Sequence, residues 1–192
     1  MRKFREIRRF SGALLLTSMA VTMGLLAAEG RMEEAIPLHL CSLSALAAAK
    51  IAFKTDQSRL SFLWLAGMPG ALLALLFPAP AVSRWQGLLK LSYVTTHALI
   101  LLVPLLAFLM GERPKPGGEK STFIIVYADA LAAACVNKKL GTDFLFLSAP
   151  PAGTPLEALF QLGYPVYLLT LLGLVLLMIT GMDKLGRRIF RE

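Results

Sequence analysis

Six long stretches of apolar residues constrain this chain more than any other feature of its sequence. The stretches cover residues 11–29, 36–53, 60–78, 89–110, 121–140 and 160–181. Most are about as long as the roughly 20 residues that an α-helix needs to cross a bilayer. None shows the period of two that is typical of a half-buried strand. The pattern predicts an all-α fold, a polytopic membrane helix bundle of about six transmembrane helices that forms a single integral membrane domain over residues 1–192.

The composition argues against a soluble protein. Of the 192 residues, 56% are hydrophobic and 17% are charged, whereas a soluble domain carries about 25% charged residues. The mean hydropathy of +0.65 also excludes disorder, which requires low hydrophobicity and high net charge. The net charge is +8, but no helix-turn-helix or zinc-finger pattern accompanies the basic clusters. We therefore expect membrane lipids as partners and no nucleic acid.

The basic residues fall on alternate connections between the apolar stretches. If the N-terminus is cytoplasmic, fourteen lysines and arginines lie on the cytoplasmic segments, which are 1–10, 54–59, 111–120 and 182–192. The outer segments then hold only Arg31 and Arg84. Because Lys and Arg accumulate on the cytoplasmic side, we expect both termini in the cytoplasm and a multi-pass protein of the cell membrane.

Polar side chains inside the apolar stretches are the main candidates for a functional site, because ionisable groups in hydrocarbon usually face the bundle interior. At 1.5 Å per residue, His39 and His97 lie roughly 5 Å and 12 Å below the outer boundary. The outer connections add Arg84 and Asp143, and the outer end of the fifth helix adds Asn137. This convergence in depth predicts a site in the outer leaflet.

Asp129 lies near the middle of the fifth apolar stretch. Its neighbours are mostly alanines, so this helix can pack closely against others. A carboxyl at that depth is expected to be protonated or paired. Two interpretations follow: a proton relay, or an interhelical hydrogen bond, which is the more common case.

Cys41 is the candidate nucleophile. Pro37 suits the first turn of a helix, which places Cys41 near the positive end of the helix dipole, where a thiolate is favoured. His39 is two residues away and points in another direction, so His97 is the available imidazole for a Cys–His pair. The alternative is that these polar residues only form interhelical hydrogen bonds. His39, Cys41, His97 and Asp143 are zinc-type ligands, but they lack close spacing, so we expect no metal and no cofactor.

Several segments resemble the YwaF-like family of bacterial integral membrane proteins. The sequence I-P-L-H-L-C-S-L at 36–43 resembles the family's L-P-L-H-L-C, and T-H-A-L-I at 96–100 resembles its S-H-G-L-I. The V-N pair at 136–137 and G-T-D-F-L-F-L at 141–147 are similar to its V-N and G-T-N-Y-x-F-L. The resemblance covers about residues 12–181 in the same order. Asp143 replaces the family's asparagine, and a carboxylate cannot donate a hydrogen bond as an amide does.

The resemblance implies a protein of the bacterial cytoplasmic membrane. A distantly similar eukaryotic transmembrane branch is associated with acyl transfer between phospholipids through a membrane-embedded cysteine and histidine. A more remote type includes fatty-acid-ester hydrolases. By this analogy Cys41 is the nucleophile and His97 the base, while His39, Arg84, Asn137 and Asp143 bind or orient a lipid or acyl substrate. A functional role transferred over such a distance rests on association.

Three functions remain open on the sequence. The first is lipid acyl transfer or ester hydrolysis at the outer leaflet, for which a covalent acyl-enzyme would be the distinguishing observation. The second is a binding protein or transporter for a lipid, ion or small solute, in which His39, His97 and Asp129 titrate. The third is a structural membrane-assembly protein whose polar residues hold helices together. The chain shows no inverted repeat and no pair of broken helices, which argues against transport.

Overall fold

The computed structural model describes residues 2–78 and 83–190. These residues form seven α-helices and no strand, which confirms the all-α expectation. The helices are α1 (Arg2–Ala28), α2 (Leu40–Phe53), α3 (Gln57–Leu76), α4 (Gln86–Leu109), α5 (Gly118–Leu140), α6 (Leu156–Gln161) and α7 (Tyr164–Phe190). Two 3-10 turns, Met32–Ala35 and Phe144–Phe146, lie in the connections before α2 and after α5.

Local sequence signals set several helix ends. Asp56 precedes α3, and its carboxylate accepts a hydrogen bond from the Arg59 backbone N–H at 2.9 Å, which satisfies one of the free donors of the first turn. Gly117 and Gly141 flank α5 with φ values of 71° and 67°. Glycine adopts this left-handed conformation without steric penalty, so the chain can turn sharply at both ends of α5.

The middle of α3 is π-helical over Leu63–Gly67. Pro69 follows directly, and a proline inside a helix lacks an N–H and collides with the carbonyl four residues earlier. The wider π-helical turn accommodates that carbonyl, so the helix continues through Met68–Leu76. Gly67 and Gly70 lie in the same stretch and allow α2 to approach, since a Cβ on either would lie 3.1 Å from Ser44 and 3.3 Å from Leu40, respectively.

Four helices in the described part of the chain are long and apolar enough to cross a membrane: α1, α3, α4 and α7. Helix α2 has 14 residues and extends about 21 Å, which is shorter than the roughly 30 Å of a hydrocarbon core. Helix α5 has 23 residues but carries five charged side chains, Glu119, Lys120, Asp129, Lys138 and Lys139. The expectation of six spans therefore reduces to four helices that meet these criteria.

The observed helix bounds differ from the six expected stretches mainly at the start of the first helix and the end of the last. The first helix begins at Arg2 rather than at residue 11, and the last continues to Phe190 rather than ending at 181. Counting apolar residues locates the part of a helix that suits hydrocarbon. Arginine and lysine are good helix formers, so the helix extends beyond that part.

The start of α1 and the end of α7 lie at the same end of the bundle. Near the start of α1, Arg8 pairs with Glu112 of the α4–α5 connection at 2.5 Å, and Thr55 donates to the same carboxylate at 2.7 Å. At the end of α7, the Phe190 ring packs edge-on against Trp64 of α3 at 5.3 Å. Helices α1, α2, α3, α4, α5 and α7 therefore alternate in direction along the chain, as the distribution of basic residues suggests.

The short helix α2 lies in the main hydrophobic core. Its buried face is rich in alanine, and this face packs against α1, α3 and α4. A Cβ on Gly12 of α1 would lie 2.5 Å from the Ala52 Cβ, so the two helices are in contact at this point. Helix α7 buries only Tyr167, Ile179 and Gly186, and its exposed leucines are typical of a surface that faces lipid.

Replacing Gly12 by alanine tests the α1–α2 contact. The added methyl group overlaps Ala52, and overpacking of this kind typically destabilises by about 1–3 kcal/mol. We expect a lower melting temperature for G12A in detergent. G24A in the same helix is the matched control, because a Cβ there meets nothing within 4 Å. Equal melting temperatures for the two variants would contradict the contact.

Candidate functional site

The most constrained backbone in the described chain lies in the connection after α5. We call residues 141–148 the clasped loop. Leu145 and Phe146 have φ values of 59° and 54°, and left-handed backbone at a residue other than glycine stores on the order of 1–3 kcal/mol. Phe144 beside them is only 2% exposed. Such strain persists only where surrounding contacts enforce it, and it is often found at functional sites.

Three side chains from three helices hold the clasped loop. The Asn137 amide donates to the Phe144 carbonyl at 3.0 Å and accepts from the Phe144 N–H at 2.8 Å. His39, the residue before α2, accepts from the Leu145 N–H at 3.4 Å through Nδ1. Tyr167 of α7 donates its hydroxyl to the Phe146 carbonyl at 2.5 Å. Together these bonds hold the loop between the ends of α2, α5 and α7.

Asp143 also acts within the clasped loop. Its carboxylate accepts a hydrogen bond from the Ser148 N–H at 2.8 Å. The position requires an acceptor here, which a carboxylate supplies as well as an amide does. His39, Asn137 and Asp143 were expected to contact a substrate. In this structure all three hold the clasped loop.

Arg84 belongs to a separate group at the end of α1. Its guanidinium donates to the Ala28 carbonyl at 3.3 Å and lies over the Trp85 ring at 5.6 Å. Its backbone N–H and the Ser83 hydroxyl both donate to the Glu29 carboxylate, at 3.1 and 2.5 Å. The Ser83 hydrogen bond lowers the pKa of Glu29 below its usual range. Arg84 therefore ties α1 to the start of α4.

His97 lies in the interior of α4, with 3% of its surface exposed. Its Nδ1 lies 2.7 Å from the Tyr93 carbonyl oxygen, and the two rings pack at 4.1 Å. A carbonyl only accepts, so in the neutral imidazole this bond places the hydrogen on Nδ1 and leaves the lone pair on Nε2. Nε2 is therefore the acceptor atom of the neutral ring.

Cys41 lies in the first turn of α2, half-buried and free. The N-cap residue His39 makes no side-chain hydrogen bond to the helix, so the opening turn of α2 has no side-chain cap. Helices α2 and α4 pack together. No hydrogen bond joins the Cys41 thiol to His97 among the described residues, so the expected Cys–His pair stays a prediction.

Two tyrosines and one carboxyl extend the list of polar groups beyond the expected site. Tyr167 is fully buried, and the Tyr93 hydroxyl donates to the Ala74 carbonyl at 2.7 Å. A buried tyrosine hydroxyl requires a partner, which is the signal that could have identified both. Asp129 is 7% exposed, and its Oδ2 has no partner among the described residues. The expected interhelical hydrogen bond is therefore not made at this oxygen.

Neither the cavities nor the metal-type residues define a second site. A cleft of about 240 Å³ is lined by residues 76–78 and 151–154, and neither Cys41 nor His97 lines it. Within residues 2–78 and 83–190, no three His, Cys, Asp or Glu side chains are grouped to hold a metal ion. The second cysteine, Cys135 on α5, is free and exposed.

The long apolar helices and their buried polar groups define a helical membrane protein. The sequence model of the TMEM164 family matches residues 1–183, and the chain therefore belongs to the TMEM164 family, a family of transmembrane proteins. No curated protein and no solved structure matches it.

Replacing Tyr167 by phenylalanine tests the clasped loop. The variant removes the bond to the Phe146 carbonyl, and a buried group left unpaired costs about 1–3 kcal/mol. We expect faster hydrogen exchange in peptides that cover residues 144–148. Y127F is the control, because the Tyr127 side chain is exposed. Unchanged exchange in Y167F would show that the hydroxyl does not hold the loop.

Proposed function

We propose that this protein is a membrane-embedded enzyme that transfers or hydrolyses lipid acyl esters through Cys41 and His97. The observation that carries the proposal is the fixed imidazole of His97. Its Nδ1 is held by the Tyr93 carbonyl, which leaves Nε2 as a proton acceptor inside the bundle. In this orientation Nε2 is the atom that takes up the proton in the proposed reaction.

The position of Cys41 supports a role as nucleophile. The thiol lies at the uncapped N-terminus of α2, where the partial positive charge of the helix favours a thiolate. Burial of the sulfur opposes ionisation, so the reaction needs a base. The Ser42 hydroxyl lies beside the sulfur, and it can donate to the negative oxygen of a tetrahedral intermediate. The Ser42 N–H donates to the His39 carbonyl at 2.9 Å.

The reaction has two halves. In the first, the Cys41 sulfur attacks the acyl carbonyl of the lipid, and the alcohol part leaves with one proton. In the second, an acceptor hydroxyl or water gives its proton to His97 Nε2 and attacks the thioester. The acyl group then leaves Cys41, and His97 returns the proton to the sulfur. In the first half His97 takes the thiol proton and gives it to the leaving alcohol, because acylation is the reverse of alcohol attack on the thioester; the thiol and the imidazole come within reach when the substrate is bound.

The surroundings favour a lipid as substrate. Cys41 packs against the main hydrophobic core, and the faces of α3 and α7 outside that core expose many leucines. We propose a multi-pass protein of the bacterial cytoplasmic membrane with six spans, in which α2 and α5 also cross, both termini are cytoplasmic and Cys41 lies in the outer leaflet. The clasped loop then covers the outer end of the site. In this scheme His39, Asn137 and Asp143 position the loop toward the substrate, and Arg84 fixes the neighbouring end of α1.

Intact mass after incubation with an activated acyl ester tests the nucleophile. We expect one acyl adduct on the wild type and on C135S, and none on C41S, because only Cys41 lies at a helix N-terminus. C135S is the matched control, since it also removes a free cysteine. An adduct on C41S but not on C135S would assign the reactivity to Cys135 and contradict the proposal. No adduct on any protein across several chain lengths would also contradict it.

His97→Gln tests His97 as the general base. The variant keeps a polar side chain but removes the basic Nε2. We expect the acyl adduct to form and to decay more slowly than in the wild type, each by about 10²–10⁴-fold, the usual contribution of a general base. The measurement is the decay of the adduct mass with time. Wild-type decay in H97Q would remove His97 from the mechanism.

A further inference from the structure

The imidazolium that the proposed reaction forms on His97 has no anionic partner in the described part of the chain. In both halves of that reaction Nε2 takes up a proton, so the ring becomes positively charged. The side chain is 3% exposed, and no carboxylate within residues 2–78 and 83–190 pairs with it. Because a buried cation without a counter-charge is costly, the ring needs another source of negative potential beside it.

The aromatic ring of Tyr93 lies directly against the His97 imidazole. The two ring centroids are 4.1 Å apart, and their planes are inclined by 40°. A cation within about 6 Å of a tyrosine ring centroid is attracted by the ring quadrupole, and the attraction is stronger where water is excluded. The two residues are four positions apart on α4, so their side chains lie on one side of the helix. The helix itself therefore sets this contact.

The far end of the Tyr93 side chain is fixed by the last turn of α3. Its hydroxyl donates to the Ala74 carbonyl at 2.7 Å. In a continuing helix that carbonyl would accept from the residue four positions later, but this residue is Pro78, which has no N–H. The tyrosine hydroxyl therefore replaces a donor that the sequence of α3 lacks. The bond holds the Tyr93 ring between α3 and α4, where it limits the movement of the imidazole.

Tyr93 also acts on His97 through its backbone. Its carbonyl oxygen lies 2.7 Å from His97 Nδ1, and this bond leaves Nε2 as the acceptor atom. In nucleophile–histidine sites a third group usually orients the imidazole and stabilises its charged form. Here one residue combines the two tasks, because the carbonyl orients the ring and the aromatic side chain packs against it.

We propose that Tyr93 is the positioning residue of His97 and that its ring stabilises the imidazolium in both halves of the reaction. This inference rests on the proposed acyl transfer. When Nε2 takes the thiol proton, the positive charge develops on an imidazole that packs against the Tyr93 ring. When the proton passes to the leaving alcohol, His97 is neutral again and the attraction ends. An interaction that strengthens only as charge develops lowers the barrier rather than the ground state.

Graded fluorination of the ring at position 93 tests this role. Tyr93→Phe keeps the ring, and phenylalanine analogues with one, two and three ring fluorines can be incorporated at the same position. Fluorine weakens the negative potential of the ring face and changes the ring shape little. We expect the acylation rate of purified full-length protein to fall with each fluorine, by up to about 30-fold in total, at a nearly constant melting temperature. A ring that only filled space would give the same rate in all four proteins.

Removal of the ring provides a second measurement. We expect Y93L to be acylated at least about 10-fold more slowly than Y93F, because leucine has no ring to attract the imidazolium. Y127L is the matched control, since it removes an exposed tyrosine ring, and it should keep the wild-type rate. If Y93F does not fold, monofluorotyrosine and difluorotyrosine at position 93 keep the hydroxyl and provide the same series.

The outcomes separate this inference from the function on which it rests. If the wild type forms no Cys41 adduct, the proposed function fails. If the wild type is acylated and the rate does not change with the number of fluorines, the function stands and the Tyr93 ring does not stabilise the charge on His97. Acylation of folded Y93L within about threefold of the Y93F rate would overturn the inference in the same way.

Discussion

The absence of water in hydrocarbon is the constraint on which this structure depends. Polar groups inside the bundle must find partners within the protein, and most of them do. Ser18, Thr22, Ser92 and Thr96 form a connected group of hydroxyls between α1 and α4, with oxygen–oxygen distances of 2.6–2.8 Å. At the end with the termini, Arg8 and Glu112 pair while nearly buried. These contacts fix the helices in position without contributing a reactive group.

Close approach of helix backbones is the second requirement, and it makes a short central helix possible. Helix α2 is only 14 residues long, yet it lies against three other helices through alanines and opposing glycines. Such small residues are typical of contacts between membrane helices. The same arrangement brings the first turn of α2 into the interior, so that Cys41 is placed at a helix N-terminus that lies within the bundle.

The sequence predicted the depth of the polar groups better than their partners. The shared depth of His39, Asn137 and Asp143 followed from helix direction and residue spacing. In the structure, Asp143 is part of the clasped loop, and His39 and Asn137 form hydrogen bonds to it. Their hydrogen bonds could not be predicted, because they depend on the left-handed backbone at Leu145 and Phe146, for which no glycine gives a signal. Arg84 was expected in the same group, but depth alone does not show the position of a residue around the bundle. The charged ends of α1 and α7 were not predicted to be helical, because hydropathy reports how well a segment partitions into the membrane and not whether it forms a helix.

The hydrogen-bonding atoms that a polar side chain has left unused distinguish structural residues from candidate functional residues. Asn137 uses both atoms of its amide within the clasped loop, so it has little capacity left for a substrate. His97 uses one nitrogen for its orientation and retains the other. Asp129 retains an oxygen with no partner among the described residues, although burial makes such an oxygen costly. The groups with unused capacity therefore lie on α4 and α5, whereas the residues at the clasped loop are saturated by their hydrogen bonds to it. A polar group inside the bundle that keeps hydrogen-bonding capacity is available to a ligand, whereas a saturated one is limited to holding the fold.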